Sequence, residues 1–216
     1  MTRTIITLAV ALVACLTTNR ALAQTNSKWT LYSSFSNITE IAPAGGTAFA
    51  LSDGGLFSYN SETGETAVYD KTNCLSDANI AHIAWSKSAK QLVIAYESSN
   101  IDLLTVNGNV TNVPDIYMKS TTLNKSINHI YIDGPYAYLS LGLGVVKLDV
   151  KRGIIVDTYQ LGFNIDYTYT KDGYIYAASS TNGLYRGKQT DNLLDTNHWQ
   201  RIGDYTPLME DRLNVE

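Results

Sequence analysis

Four times along the chain, a run of small and apolar residues reaches a glycine or asparagine and continues into an aliphatic residue. TAFALSDGGLFSY places this anchor at Gly55, QLVIAYESSNIDLL at Asn100, PYAYLSLGLGVVKL at Gly144 and YIYAASSTNGLYR at Gly183. The anchors follow one another at intervals of 45, 44 and 39 residues. Five residues before them stand Ala50, Ala95, Leu139 and Ala178; four residues after stand Tyr59, Leu104 and Leu148, and Gly187 breaks the pattern. Upstream of each anchor lies an I-x-x-I: Ile38/Ile41, Ile80/Ile83, Ile127/Ile130 and a degraded copy at Ile165. Downstream come short β-rich runs, ETAVYD, GNVTNV, IIVDTYQL and WQRIGDY. Each unit thus reads as four short strands in 40–45 residues, the blade period of a β-propeller. A sandwich would give frequent turns but no similarity at this period.

The expected fold is therefore all-β, with four propeller blades of four antiparallel strands at roughly 38–70, 80–113, 127–161 and 165–204. The small residues five before the anchor fit a strand near the narrow central channel, and Asn100 in a glycine column fits a turn needing positive φ. NCLSDANIAHIAW (Asn73–Trp85) reads as the link between blades, with Asn73, Ser76 and Asp77 supplying turn chemistry. KWTLYSS at Trp29 resembles HWQRIGD at Trp199. Residues 28–33 then form the outer strand that closes the last blade, and the chain is expected to be an incomplete part of a larger, seven-bladed propeller.

The N-terminus reads as an export signal over residues 1–23: Arg3, the apolar stretch Ile5–Ala14, and a small-x-small site at Ala21–Ala23 before Gln24. LVAC at Leu12–Cys15 leaves lipidation of Cys15 as an alternative. Either route means export. Removing residues 1–23 takes Arg3 and Arg20 and no acid, so 16 basic residues become 14 against 20 acids, a net of −6. With no basic cluster, nucleic acid is not an expected partner. Cys74, the one cysteine left, reads as a semi-buried apolar residue.

Catalytic chemistry is sparse. His82, His129 and His198 stand apart from any metal-ligand spacing, and the first two occupy one column of the repeat. There is no GxSxG, and Gly142–Gly144 lacks the third glycine of a phosphate cradle, reading instead as a strand turn. Asp53, Asp77, Asp102 and Asp172 mostly fall at strand ends, without spacing that marks an acid/base pair. No enzyme activity, cofactor or metal is expected. Tyr167, Tyr169, Tyr174 and Tyr176 alternate with period two; facing outward they would stack on sugar, facing inward they would pack between blades. Asn-x-Ser/Thr sequons stand at Asn37, Asn109 and Asn124.

CLSDANIAHIAW, followed by an apolar strand and a Gly-Leu turn, resembles the two-component regulator propeller repeat of periplasmic sensor domains. Cys74 replaces that repeat's glycine, and QLVIAYESSN stands where it carries Leu-Trp-Ile-Gly-Thr. The runs GLFSYN (55–60), VIAYESSNIDLL (93–104), AYLSLGLGVVKLD (137–149) and DNLLDTNHW (191–199) make the stretch from Trp29 to about Pro207 resemble the PorZ N-terminal propeller family. That resemblance implies a non-catalytic scaffold of type IX protein secretion, in the periplasm or at the outer membrane or cell surface of a Gram-negative bacterium. Its implied partners are the sortase PorU and PorV, with anionic lipopolysaccharide or another glycan nearby. The alternative is a glycan-binding sensor propeller of a hybrid two-component regulator. A propeller lyase or glycosidase is a third class that lacks an identifiable acid/base set.

Overall fold

The computed structural model describes residues 36–206. The export signal, Cys15 and the proposed closing strand at 28–33 lie outside the described residues. Sixteen strands form four sheets, each an antiparallel meander of four consecutive strands. The first sheet comprises β1 (Ile38–Ala44), β2 (Thr47–Ser52), β3 (Gly55–Asn60) and β4 (Thr66–Tyr69). The second comprises β5 (Ile80–Ser86), β6 (Gln91–Tyr96), β7 (Ile101–Thr105) and β8 (Val110–Val113). A short helical turn, α1 (Asp115–Met118), leads to the third: β9 (Ile127–Asp133), β10 (Tyr136–Leu141), β11 (Gly144–Asp149) and β12 (Ile154–Gln160). The fourth comprises β13 (Tyr167–Lys171), β14 (Tyr174–Ser179), β15 (Gly183–Lys188) and β16 (Trp199–Gly203). This is propeller architecture, with the first strands of successive sheets lying next to one another.

Packing between sheets explains the strand sequences. A second strand is covered on both faces, so it runs almost continuously apolar: Leu92–Tyr96 and Ala137–Leu141 are buried throughout. Fourth strands are outermost and shorter of apolar residues, as in the largely exposed Thr66–Tyr69. Three cores fill the spaces between sheets: Phe49, Leu51 and Leu56 with Ile83 and Leu92; Val93, Ile101 and Leu103 with Ile130 and Leu139; Tyr138 and Val145 with Ile165, Ile175 and Trp199. Each fully buried aliphatic chain contributes about 1.5–3 kcal/mol.

The I-x-x-I signature has a specific cause. In a regular strand, residues three apart point to opposite faces. Here the register shifts between Ile38 and Glu40, between Ile80 and His82, and opposite Ser140/Leu141 in the third sheet. A β-bulge inserts one residue, and the extra residue brings both isoleucines to one face. Ile80/Ile83 and Ile127/Ile130 are buried against the preceding sheet. Ile165 and Thr168 repeat the arrangement in the fourth sheet, where the Thr168 hydroxyl bonds that of Ser140 at 2.7 Å.

Two readings of the repeat need correction. Positive φ does not track the anchor column: in the first two sheets it falls on Asp53, Gly54 and Ser99, whereas Gly144 and Gly183 adopt it themselves. The connections differ in length, so aligned residues do not share a backbone conformation. Asp53–Gly54 is a two-residue hairpin turn with both φ positive. Asn100 instead accepts a hydrogen bond from Asn112 at 3.0 Å. Gly144 and Gly183 are required by close approach as well, since a Cβ would sit 2.0 Å from the Tyr159 carbonyl oxygen and 2.5 Å from that of Gly203. Second, Ala50, Ala95, Leu139 and Ala178 lie on second strands, buried between sheets, while the strands nearest the axis are the first ones. Their size answers to sheet spacing and not to the channel. Gly187 breaks the apolar column because Leu193 and Trp199 fill its space, the nearest atom 2.5 Å from a built Cβ.

Candidate functional site

The polar side chains singled out in the sequence are built into the joints between sheets. Glu40, His82 and His129 occupy the same position in three successive first strands, one residue past the bulge, and Tyr167 takes that position in the fourth. Glu40 reaches across to the second sheet: one carboxylate oxygen meets His82 Nδ1 at 2.6 Å, the other accepts the Ile83 N–H at 2.7 Å. Between the third and fourth sheets the same column supplies a ring contact, His129 to Tyr167 with centroids 4.8 Å apart. His198 lies elsewhere, its Nδ1 2.7 Å from the Asn192 carbonyl oxygen.

Asp102 is the most deeply committed carboxylate. It lies inside β7 and is fully buried. It accepts hydrogen bonds from the Ser76 N–H at 2.8 Å, the Tyr96 hydroxyl at 2.6 Å and Asn112 Nδ2 at 2.9 Å. Burial, then the Asp102 carboxylate, pushes the Tyr96 phenol well above its usual range. Asp77 is held in the same link by the Ser98 hydroxyl at 2.7 Å, and that bond, first among its contacts, lowers its carboxyl below the usual value. The link itself turns on Asp70 and Asn73: the Asp70 carbonyl accepts three successive N–H groups, and Asn73 bonds back to Asp70 N–H and the Val68 carbonyl. Asp53 and Asp172 sit in hairpin turns at φ 47° and 50°. Gly142–Leu143 joins β10 to β11 as a strand turn.

Cys74 is half-buried beside the first core, and burial, with Asp102 and Asp70 nearby, raises its thiol above the usual value. Among the described residues, no group of three or more His, Cys, Asp or Glu is placed to hold a metal ion. No helix there is long and apolar enough to cross a membrane. Among the described residues, two of the clefts lie between elements. One, of about 250 Å³, lies between α1 and the third sheet, with Leu141, Leu143 and Val146 as its floor and Asp115 and Lys119 at its rim. The other, of about 370 Å³, lies between the first sheet and Val106, with Glu65 the one carboxylate in its lining.

The four tyrosines share one face of the fourth sheet but do not form an open platform. Tyr169 and Tyr176 face each other across β13 and β14, rings 4.5 Å apart and 3° from parallel. The Arg186 guanidinium lies 5.0 Å from the Tyr174 ring, and Tyr167 packs on His129. The register equivalents in the third sheet are Tyr131, Tyr136, Tyr138 and Lys147. There the same face is closed over by the fourth sheet. Tyr138 is 1% exposed, and burial pushes its phenol up to about 12.

The sequence matches the family described as "TSS9, PorZ, N-terminal beta-propeller domain" over residues 48–200. The chain belongs to the PorZ N-terminal β-propeller family. A solved structure of PorZ from Porphyromonas gingivalis, described as an essential bacterial surface component of the type IX secretion system, superposes with a TM-score of 0.73 at 30% identity. That likeness covers 82% of this chain and 24% of the other, so the chain spans about a quarter of that PorZ. The extracellular domain of a Bacteroides thetaiotaomicron one-component system, BT4673, gives a TM-score of 0.60 at 18% identity, covering 81% of this chain and 23% of that one. BamB from Moraxella catarrhalis gives 0.51 at 22% identity, covering 71% and 50%. These last two show the fold alone. No curated protein matches the sequence. Within the matched stretch, Ser98 and Asp102 bond the link between the first and second sheets through Asp77 and the Ser76 N–H.

Proposed function

We propose that this chain is a non-catalytic scaffold of the type IX protein secretion system, exported to the periplasm or cell surface, where it docks components of the outer-membrane sortase complex. The observation that carries this reading is the family match over residues 48–200, joined to 30% identity with a secretion component. The side-chain geometry supports it. Glu40, His82, Asp77 and Asp102 are engaged in joining sheets, so none of them is presented to a substrate. The sortase PorU and PorV are the partners this reading names, and the four sheets then form part of a larger ring. The likeness to sensor propellers extends to fold only, and gives a glycan-sensing role no residue to rest on.

The test is co-purification. A tagged chain expressed in a bacterium with this secretion system should be recovered with PorU and PorV from the outer-membrane fraction. Recovery with an inner-membrane histidine kinase instead would overturn the reading. So would turnover of a peptide or glycan substrate that is abolished by one His or Asp substitution.

A further inference from the structure

One register column treats the three joints between sheets unequally. Ile83, Ile130 and Thr168 stand at the same place in the first strands of the second, third and fourth sheets. Following the pairing outward from each, the third-strand residue is Asp102, Val146 or Tyr185, and its fourth-strand partner is Asn112, Thr158 or Arg201. In two of these sheets the entering link engages the third-strand residue directly. Asp102 accepts the Ser76 N–H in the second sheet, and in the fourth the Phe163 ring lies 5.0 Å from that of Tyr185. In the third sheet the residue is Val146. Its link supplies Ile116 from α1, yet the cleft of about 250 Å³ remains between them, lined also by Leu141, Leu143, Ile155 and Thr158.

We infer that this cleft seats the aromatic side chain of a partner polypeptide, the part that Phe163 plays in the next joint. An apolar cavity of about 150 Å³ accepts benzene, so the cleft has room for a phenylalanine ring. Its rim carries Asp115 and Lys119, both exposed and neither in an ion pair among the described residues. A rim with a free charge of each sign complements a polypeptide whose aromatic residue is flanked by a basic and an acidic one. An acyl chain would leave both charges unanswered. Met118 and Leu123 of the same link are exposed and extend the apolar surface beyond the cleft. The inference rests on the scaffold reading and names the place where such a scaffold takes hold of a partner.

The experiment is a methyl NMR titration of the purified chain with the blocked tripeptide acetyl-Lys-Phe-Glu-amide. The methyls of Leu141, Leu143, Val146 and Ile155 should shift together and saturate, with a Kd on the order of 1 mM for a single anchor. The Lys-Ala-Glu counterpart should leave them unmoved. Val146→Phe, which fills the cleft from its floor, should weaken binding about tenfold or more. Circular dichroism confirms that this variant is folded, and Thr158→Phe serves in its place if it is not. Lys119→Glu, at an exposed position, should weaken binding about threefold at low salt. Absence of saturable shifts, equal binding of the alanine peptide, or unchanged binding to a folded cleft-filling variant overturns the inference. Unchanged binding to Lys119→Glu overturns the assignment of charged flanks. Tighter binding of free L-phenylalanine than of the tripeptide also overturns the inference, marking a small-molecule site instead. The titration contains neither PorU nor PorV, so loss of peptide binding and loss of co-purification are separate results.

Discussion

Replacing Asp102 by alanine measures how firmly the link between the first and second sheets is held. Three donors lose their acceptor at once: the Ser76 N–H, the Tyr96 hydroxyl and Asn112 Nδ2. A buried donor left unsatisfied costs about 1–3 kcal/mol. The sum is offset by no longer burying a carboxylate, and Asn112 keeps its bonds to Asn100 and the Ile101 carbonyl. The net expectation is a loss of about 3–4 kcal/mol, or about 10 °C in Tm for a chain of this size. Urea and thermal unfolding followed by circular dichroism read the size. Hydrogen exchange at the Ser76 amide reads the place, and should speed up more than exchange in β10. Asp102→Asn, which keeps one acceptor, should lose about half as much. The Tyr96 phenol should also titrate lower in the alanine variant, because one of the causes holding it up has gone. An Asp102→Ala protein within about 0.5 kcal/mol of wild type, the range of inert surface changes, would refute the account of this joint.

Ile83→Ala should cost about 2–4 kcal/mol in urea unfolding, since Ile83 is buried in the core between the first two sheets. Gly144→Ala should cost more than about 2 kcal/mol or fail to fold, because its Cβ would lie 2.0 Å from the Tyr159 carbonyl oxygen at φ 142°; unchanged stability would mean that β11 and β12 are spaced differently. Tyr138 makes stability depend on alkaline pH. Its folded phenol is raised from 10 to about 12, so its contribution is complete below pH 10 and is lost as pH rises toward 12. The loss is on the order of 2–3 kcal/mol. Tyr138→Phe should flatten that part of the stability–pH curve.

The repeat was readable because each sheet meets the same demand: a buried second strand, a first strand seated on its predecessor, and an outer strand in solvent. Small and apolar residues recur at fixed positions wherever that demand recurs. The I-x-x-I spacing was visible but its reason was not, since a bulge is a matter of pairing between strands and leaves no residue type behind. The glycine column misled for a related reason. It merges two close approaches, at Gly144 and Gly183, with two turns whose positive-φ residues lie one or two places earlier. The buried carboxylate had a signal that went unused: an aspartate within Ile101–Leu104 puts a charge into an otherwise apolar, doubly covered strand, which requires donors around it. Glu40 and His82 carried another, standing in one column of the repeat with opposite charge tendencies. Neither signal names the partner, because the 42-position separation of Glu40 and His82 closes only in three dimensions.

This division bears on where specificity can reside. Inside the array, side chains answer to neighbouring sheets, and a tyrosine or isoleucine at a given register position has the same role from blade to blade. The links that start each sheet are under no such common demand, and they differ. Residues 70–79 are fixed by Asp70, Asn73, Asp77 and Asp102. The link of 114–126 buries Ile116 but leaves Met118, Tyr117 and Leu123 73%, 53% and 47% exposed, with Lys125 bonded to the carbonyls of Tyr117 and Lys119. In an array of interchangeable sheets, individuality lies in what is not interchangeable, and among the described residues that is the unequal links between sheets.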